Sequence, residues 1–178
     1  TLRAHGDLIL DGRVNFPEPH GDRWSVDTLV TVRDGVLEGI KNVETITGLA
    51  GTARLTESSL TIEELSGTAA GSHWTLTGTI QPLAHPTVEV LLTSTVQLES
   101  IVKLTPSLAT SWQPSGPADL RAVCRGPLQP TVTLDCLLHA QLRGATLAGE
   151  KLKHPLEQMN GQLAYDPWMR RLTIAQLS

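Results

Sequence analysis

The sequence predicts an all-β protein built from an antiparallel sheet, and three observations support this fold class. Apolar and polar residues alternate with period two in many short segments, as where Trp74, Leu76 and Ile80 alternate with Thr75 and Thr79. Such alternation is typical of strands with one apolar and one solvated face. The 15 glycines and 11 prolines recur throughout and leave little room for helices. An internal repeat then favours an extended array over a closed globule.

The strands are separated by turn signals. Asp11-Gly12, Asp34-Gly35 and Asn160-Gly161 are dipeptides typical of turns or bulges. One segment departs from period two, because Leu98, Ile101, Val102 and Leu104 have helical spacing before Pro106. We expect one short helix near 98–105.

The internal repeat can be read directly from the amino-acid sequence. Residues 60–66 read LTIEELS and residues 172–178 read LTIAQLS, an offset of 112. Residues 51–55 align with 161–165 at an offset of 110, and residues 6–16 resemble 118–128. We therefore expect a first β repeat at 1–110 and a second, truncated repeat at 111–178 that continues the same sheet.

Composition excludes several classes of protein. The chain has 178 residues, with 14 basic and 18 acidic side chains, and this net charge of −4 disfavours a nucleic-acid partner. A hydrophobic content of 40% argues against intrinsic disorder. No apolar run approaches the roughly 20 residues of a membrane span. Because the first residue is Thr1 and not Met, we expect the chain to be a piece of a longer protein.

The two cysteines flank a turn near Gln129-Pro130. A hairpin about that point places Cys124 opposite Cys136, both on the apolar parity, at a separation that suits a disulfide. The alternative is a pair of buried free thiols that act as small hydrophobic side chains.

No residue pattern indicates catalysis, and we predict no enzyme activity, no cofactor and no metal site. His5 and Asp7, repeated as His20 and Asp22, are weak ligand pairs at strand starts or turns. The neighbours Glu63 and Glu64 would point to opposite faces of a strand, which argues against a catalytic acid pair. Trp74 has the apolar parity of its strand and could pack in a core or line a ligand surface.

Several segments together resemble a known family. They are ITGLAGTARL at 46–55, LTIEELSG at 60–67, WTLTGTI at 74–80, the segments GPADL and GPL at 116–120 and 126–128, and HPLEQMNGQL at 154–163. Their spaced glycines and leucines resemble the AsmA-like superfamily, long periplasmic proteins of Gram-negative bacteria that are anchored in the inner membrane.

The resemblance implies a long sheet curled into an open apolar groove, called a β-taco. This groove would carry phospholipid acyl chains between the inner and outer membranes and so contribute to outer-membrane biogenesis. The membrane anchor and the partner proteins at both membranes would lie outside this chain, and the TamB branch of the family is also linked to outer-membrane protein assembly. The family has no catalytic residues to transfer.

The residues expected to line the groove share the apolar parity of their strands. They are Leu8, Leu10, Val14, Phe16, Val26, Val30, Val32, Trp74, Leu76, Ile80, Val88, Val90, Leu92, Leu120, Leu134 and Leu138. A structural or interaction module, with two sheets closed into a sandwich, would show the same parity. A carbohydrate-binding domain ranks last, because aromatic residues make up only 3% of the chain.

Overall fold

The fold is a single antiparallel sheet in a computed structural model that describes residues 3–15, 25–39, 45–100, 113–129, 134–150, 152–166, 169 and 171–178. The strands are β1 (Arg3–Asn15), β2 (Ser25–Glu38), β3 (Ile46–Thr56), β4 (Leu60–Ala69), β5 (Ser72–Gln81), β6 (Thr87–Gln97), β7 (Gln113–Ser115), β8 (Pro117–Pro127), β9 (Asp135–Ala148), β10 (Leu156–Asp166) and β11 (Arg171–Leu177).

The strands follow one another almost in chain order. Their order in the sheet is β1-β2-β3-β4-β5-β6-β8-β9-β10-β11, and β7 pairs with β9 beside β8. β1 and β11 therefore form the two edges, and the sheet is open. The predicted all-β class and the antiparallel pairing are confirmed.

The two faces differ in chemistry, although the more polar one also holds a row of Leu91, Val123 and Leu137. One row of directly opposed residues crosses nine strands and runs Leu8, Val32, Gly51, Leu65, Leu76, Leu92, Ala122, Leu138 and Tyr165. Opposed residues share a face, so we call the side that holds this row the aliphatic face. The next row on that face runs Leu10, Val30, Ala53, Ile62, Gly78, Val90, Cys124 and Cys136. The opposite side, which holds Arg54, Glu89 and Arg125, is the polar face.

A β-bulge in β4 corrects one prediction. Gly51 pairs with Leu65 and Ala53 pairs with Ile62, so the three-residue step in β4 matches a two-residue step in β3. The extra residue keeps Ile62 and Leu65 on the same face. Glu64 pairs with Thr52, and the Thr52 hydroxyl donates to Glu63 Oε2 at 3.0 Å. The prediction that the two glutamates point to opposite faces is wrong, because the bulge turns both toward the polar face.

The repeat seen in the letters has a counterpart in the strand pairing. Leu49 pairs with Gly35, and Met159 pairs with Ala145, which is 110 residues later on both strands. Positive φ angles recur with the same offset, at Asp34 (51°) and Gly144 (61°), and at Gly48 (61°) and Gln158 (53°). β1 to β4 therefore correspond to β7 through β11.

The first strand of the unit shows the correspondence most closely. Arg3 pairs with Glu38 and Gln113 pairs with Ala148, so β7 is the counterpart of the start of β1. In both copies a glycine with positive φ follows, Gly6 at 132° and Gly116 at 100°.

The pairing corrects the alignment of this strand. Leu8 pairs with Val32 and Ala118 pairs with Leu142, which gives an offset of 110. The alignment of residues 6–16 with 118–128 implied 112 instead. The offset of 112 holds only in the last strand, where Leu65 corresponds to Leu177.

The buried residues lie mainly at one end of the aliphatic face. Val96, Ala118, Leu142, Ala145 and Met159 form a small core, with further leucines packed against it, among them Leu98. Leu98 begins the helical residues 98–100, while residues 101–105 of the predicted helix lie outside the described part of the chain.

Most of the sheet has no second layer of described residues over it. The chain exposes 12469 Å² of surface at a mass of 19.2 kDa. This is half as much again as the roughly 8,400 Å² expected for a compact protein of that mass. Among the described residues, no helix is long and apolar enough to cross a membrane.

Candidate functional site

The aliphatic face is the candidate site, and it brings the predicted lining residues together. Val14 pairs with Val26, Ile80 pairs with Val88, and Trp74 shares a row with Leu120 across Ser94. The other lining residues predicted in β1 to β9 fall in the two rows described above. Leu134 packs over Gly126, where an added Cβ would lie 3.4 Å from Leu134 Cδ2. Phe16 lies outside the described residues.

Part of this face is open to solvent. Leu8 and Leu10 are both 63% exposed, and Leu92 is 37% exposed. Val88 is instead 5% exposed and belongs to the packed interior. A contiguous exposed apolar surface marks a site of interaction with a protein, a membrane or an apolar ligand, whereas a single exposed leucine does not.

Sequence reasoning missed several residues of the aliphatic face. Ile62 and Leu65 join it because the bulge changes the parity of β4 between them. Leu163 and Ile174, which pair with each other, extend it into β10 and β11. The internal repeat aligns Ile62 with Ile174, so the repeat could have located Ile174 on this face once Ile62 had been assigned to it.

Trp74 contributes to packing on this face. Its indole lies over Gly67, where a Cβ would come within 2.9 Å of the ring carbon Cζ2 and 3.3 Å of Leu49 Cδ2. Because Gly67 has no side chain, the indole ring can lie against the backbone there. The ring then covers the part of the sheet that a side chain at position 67 would otherwise cover. Trp74 therefore covers a gap in the aliphatic face.

A disulfide crosses the second row of the aliphatic face. Cys124 and Cys136 pair directly between β8 and β9 and are joined by a disulfide bond. The hairpin register behind this prediction also holds at Arg125, which faces Asp135, and at Ala118, which faces Leu142. The alternative of two free thiols is therefore wrong.

Ion pairs lie on the polar face. Arg54 donates to both carboxylate oxygens of Asp27, from Nε at 2.7 Å and from Nη2 at 2.5 Å. These hydrogen bonds hold the pKa of Asp27 below its usual value and raise the pKa of Arg54. Glu89 and Arg125 pair at 2.6 Å, and Asp119 pairs with Arg143. Such exposed pairs contribute little stability and mainly set the character of this surface.

In the part of the chain that the structure describes, no cluster of three or more histidine, cysteine or carboxylate side chains could hold a metal ion. None of the polar side chains described is buried. What the arrangement offers is an extended apolar surface on one side of a thin sheet.

Comparison of the chain with protein-family models, with curated proteins and with solved structures found no match.

Proposed function

We propose that this chain is part of a bridge-like lipid carrier, in which the aliphatic face holds the acyl chains of phospholipids as they move between two membranes. The observation that carries the proposal is the continuous aliphatic row from Leu8 in β1 to Leu138 and beyond in an open sheet. The resemblance to AsmA-like proteins supports the same function.

The energetics of lipid transfer favour such a surface. Each CH₂ group removed from water contributes about 0.8 kcal/mol, so an acyl chain in solvent is strongly disfavoured. A face of leucine, valine and isoleucine can shield the chain along its whole length. It has few placed hydrogen-bonding groups, so it would fix no single lipid position, and this suits movement along the sheet better than a closed pocket does.

The repeat supports movement over a distance. The second copy repeats the aliphatic pairs of the first copy within the same sheet, as where the pair Leu10–Val30 corresponds to the pair Leu120–Ala140. Strands are about 4.8 Å apart, so each added repeat of six strands, as in β1 to β6, lengthens the apolar surface by about 29 Å. A carrier built this way reaches further by adding units and needs no new kind of site.

The disulfide supports an oxidising compartment. Bonds such as Cys124–Cys136 persist in secreted and periplasmic proteins and are rare where thiols are kept reduced. Together with the resemblance to AsmA-like proteins, this leads us to propose that the carrier works in the periplasm, and the resemblance implies an inner-membrane anchor and membrane partners outside this chain.

A structural or interaction module is the second candidate. A sandwich would bury the aliphatic face against a second sheet about 10 Å away. The described strands instead form one sheet, and Leu8 and Leu10 on that face stay exposed. In a role in outer-membrane protein assembly, the same face would bind an unfolded β-rich protein. The experiment distinguishes such a protein from phospholipid as the ligand.

The test compares two charged pairs on neighbouring positions of the same strands. Leu76→Asp with Leu92→Asp places two carboxylates in an opposed pair on the aliphatic face, whereas Thr77→Asp with Leu91→Asp places an equivalent pair on the polar face. Each purified protein is incubated with phosphatidylethanolamine and phosphatidylglycerol vesicles and re-isolated. Lipid is then extracted and quantified by mass spectrometry, and transfer of a fluorescent phospholipid between vesicles is followed.

We expect the wild type and the polar-face variant to retain and transfer phospholipid, and the aliphatic-face variant to lose most of both activities. Circular dichroism and urea unfolding check that both variants fold. Equal lipid retention by the two folded variants, or no phospholipid on the wild type, would overturn the proposal. In a parallel incubation with a urea-unfolded outer-membrane protein, capture of that protein without retention of phospholipid would favour the assembly role.

A further inference from the structure

The polar face contains a cavity of about 770 Å³ where β5, β6, β8, β9 and β10 meet. A row of opposed residues forms its floor, running from Thr75 through Thr93 and Arg121 to His139. Because these residues have the opposite parity to Leu76 and Leu92, the polar floor of the cavity lies on the other side of the sheet from the proposed lipid surface. Leu120, Ala140 and Leu163, which have the intervening parity, also border the volume. Its size is typical of sites for small molecules.

Among the described residues, Arg121 is the cation of this cavity that lacks a carboxylate partner. On the same face, Arg125 pairs with Glu89 and Arg143 pairs with Asp119. Arg121 faces Thr93 on one side and His139 on the other, and within the described residues its guanidinium makes no ion pair.

Asp119, the one carboxylate that lines the cavity in the described part of the chain, is already engaged. It accepts a hydrogen bond from the Thr95 hydroxyl at 3.0 Å and forms its ion pair with Arg143. Its negative charge is thereby offset locally. The positive charge of Arg121 is left facing the cavity, beside imidazole and hydroxyl groups.

We propose that this cavity binds a phosphate group, with Arg121 as its main ligand and Thr93 and His139 as additional hydrogen-bond donors. The planar guanidinium suits two phosphate oxygens at once, and hydrogen bonds between ionised groups are stronger than neutral ones. Threonine hydroxyls and the side-chain amides of Gln141 and Gln162 line the same volume and could bind the polar part of a phosphate ester. The site is independent of the acyl-chain surface and does not rest on the proposed function.

Three phosphate sources can be distinguished by titration of the full chain. Inorganic phosphate and a hexose phosphate are titrated by calorimetry, and binding to phosphatidylglycerol vesicles is measured by co-sedimentation against neutral phosphatidylcholine vesicles. The variants are Arg121→Gln, which removes the charge, and Arg121→Lys, which keeps the charge without the planar fork. Arg125→Gln is the matched control on the same strand and face.

We expect Arg121→Gln to weaken phosphate binding at least about tenfold, the loss that follows from removing hydrogen bonds to a charged group. Arg121→Lys should fall between that variant and the wild type, and Arg125→Gln should bind as the wild type does. Preference for the hexose phosphate identifies a soluble ester, and Arg121-dependent binding to anionic vesicles alone identifies a lipid headgroup. The absence of saturable binding in all three arms, or an equal loss in Arg121→Gln and Arg125→Gln, would overturn the proposal.

Discussion

Cys124 and Cys136 face each other directly across β8 and β9, and their disulfide closes the hairpin between these strands. The two residues are separated by 12 positions in the sequence. Cross-linking over so short a loop restricts the unfolded chain more than the folded one, since the folded strands already hold the two residues side by side.

Replacement of both cysteines by alanine should therefore lower the free energy of unfolding by about 3 kcal/mol. Urea unfolding of the oxidised wild type, the reduced wild type and the double variant measures this effect. The reduced wild type should unfold with the variant, and a thiol reagent should label the wild type only after reduction. Labelling of the untreated native protein would contradict the disulfide.

Leu142 and Leu10 lie on the same face but differ in burial, because only Leu142 belongs to the small core at the end of that face. Leu142 is 4% exposed and packs with Val96 and Met159, whereas Leu10 is 63% exposed. Leu142→Ala should cost about 2–5 kcal/mol of unfolding free energy, because it leaves a cavity in packed surroundings. Leu10→Ala should change stability by about 0.5 kcal/mol or less. Similar costs for the two variants in urea would mean that a second layer covers Leu10.

Gln158 has a left-handed backbone conformation, and its counterpart in the first copy is a glycine, Gly48. The φ of Gln158 is 53°, and Gly48, 110 residues earlier, has φ 61°. A non-glycine residue in this left-handed region is strained by contact of its Cβ with the backbone. Gln158→Gly should therefore stabilise the protein by about 0.5–1 kcal/mol, after allowance for the greater freedom of glycine in the unfolded chain.

Gly48→Gln is the reciprocal experiment. Apart from Gly48 itself and its two chain neighbours, no atom of the described residues lies within 4 Å of a Cβ built at Gly48, so the variant adds backbone strain without a steric clash. It should lose about as much stability as Gln158→Gly gains. A thermal or urea midpoint that moves the same way in both variants would show that the two positions are not equivalent.

Asp27 should make stability depend on pH in the acid range. Its pKa in the folded protein is lowered from 3.8, chiefly by the hydrogen bonds from Arg54. A lowered folded pKa means that the contribution is fully present above the unfolded pKa and is lost as pH falls through the folded value. The effect is small, because the two side chains are 55% and 57% exposed.

Comparison with Asp27→Asn isolates this contribution. Wild type and variant should differ in urea midpoint near neutral pH, and the difference should shrink as the pH falls below about 3.8. A difference that stays constant down to the acid limit, or that grows there, would rule out Asp27 as its source.

Most of the fold could be predicted from the alternation of apolar and polar residues, because successive side chains of a strand point to opposite faces of the sheet. Leu8, Leu10 and Val14 could be assigned to one face from their spacing alone, and the hairpin count around Gln129-Pro130 correctly placed Cys124 opposite Cys136. The same reasoning failed at Glu63 and Glu64, because a bulge adds one residue without leaving a reliable mark in the sequence.

Only the tertiary structure showed which residues from distant parts of the sequence lie next to each other. The sequence placed Arg121, Thr93 and His139 on three segments with no recognisable motif, and only the pairing of β6, β8 and β9 brings them to one cavity. It likewise decided that Val88 is buried while Leu8 stays exposed, although both have the apolar parity. Parity fixes the face on which a side chain lies, but burial depends on what covers that face, and this is a property of the assembled sheet.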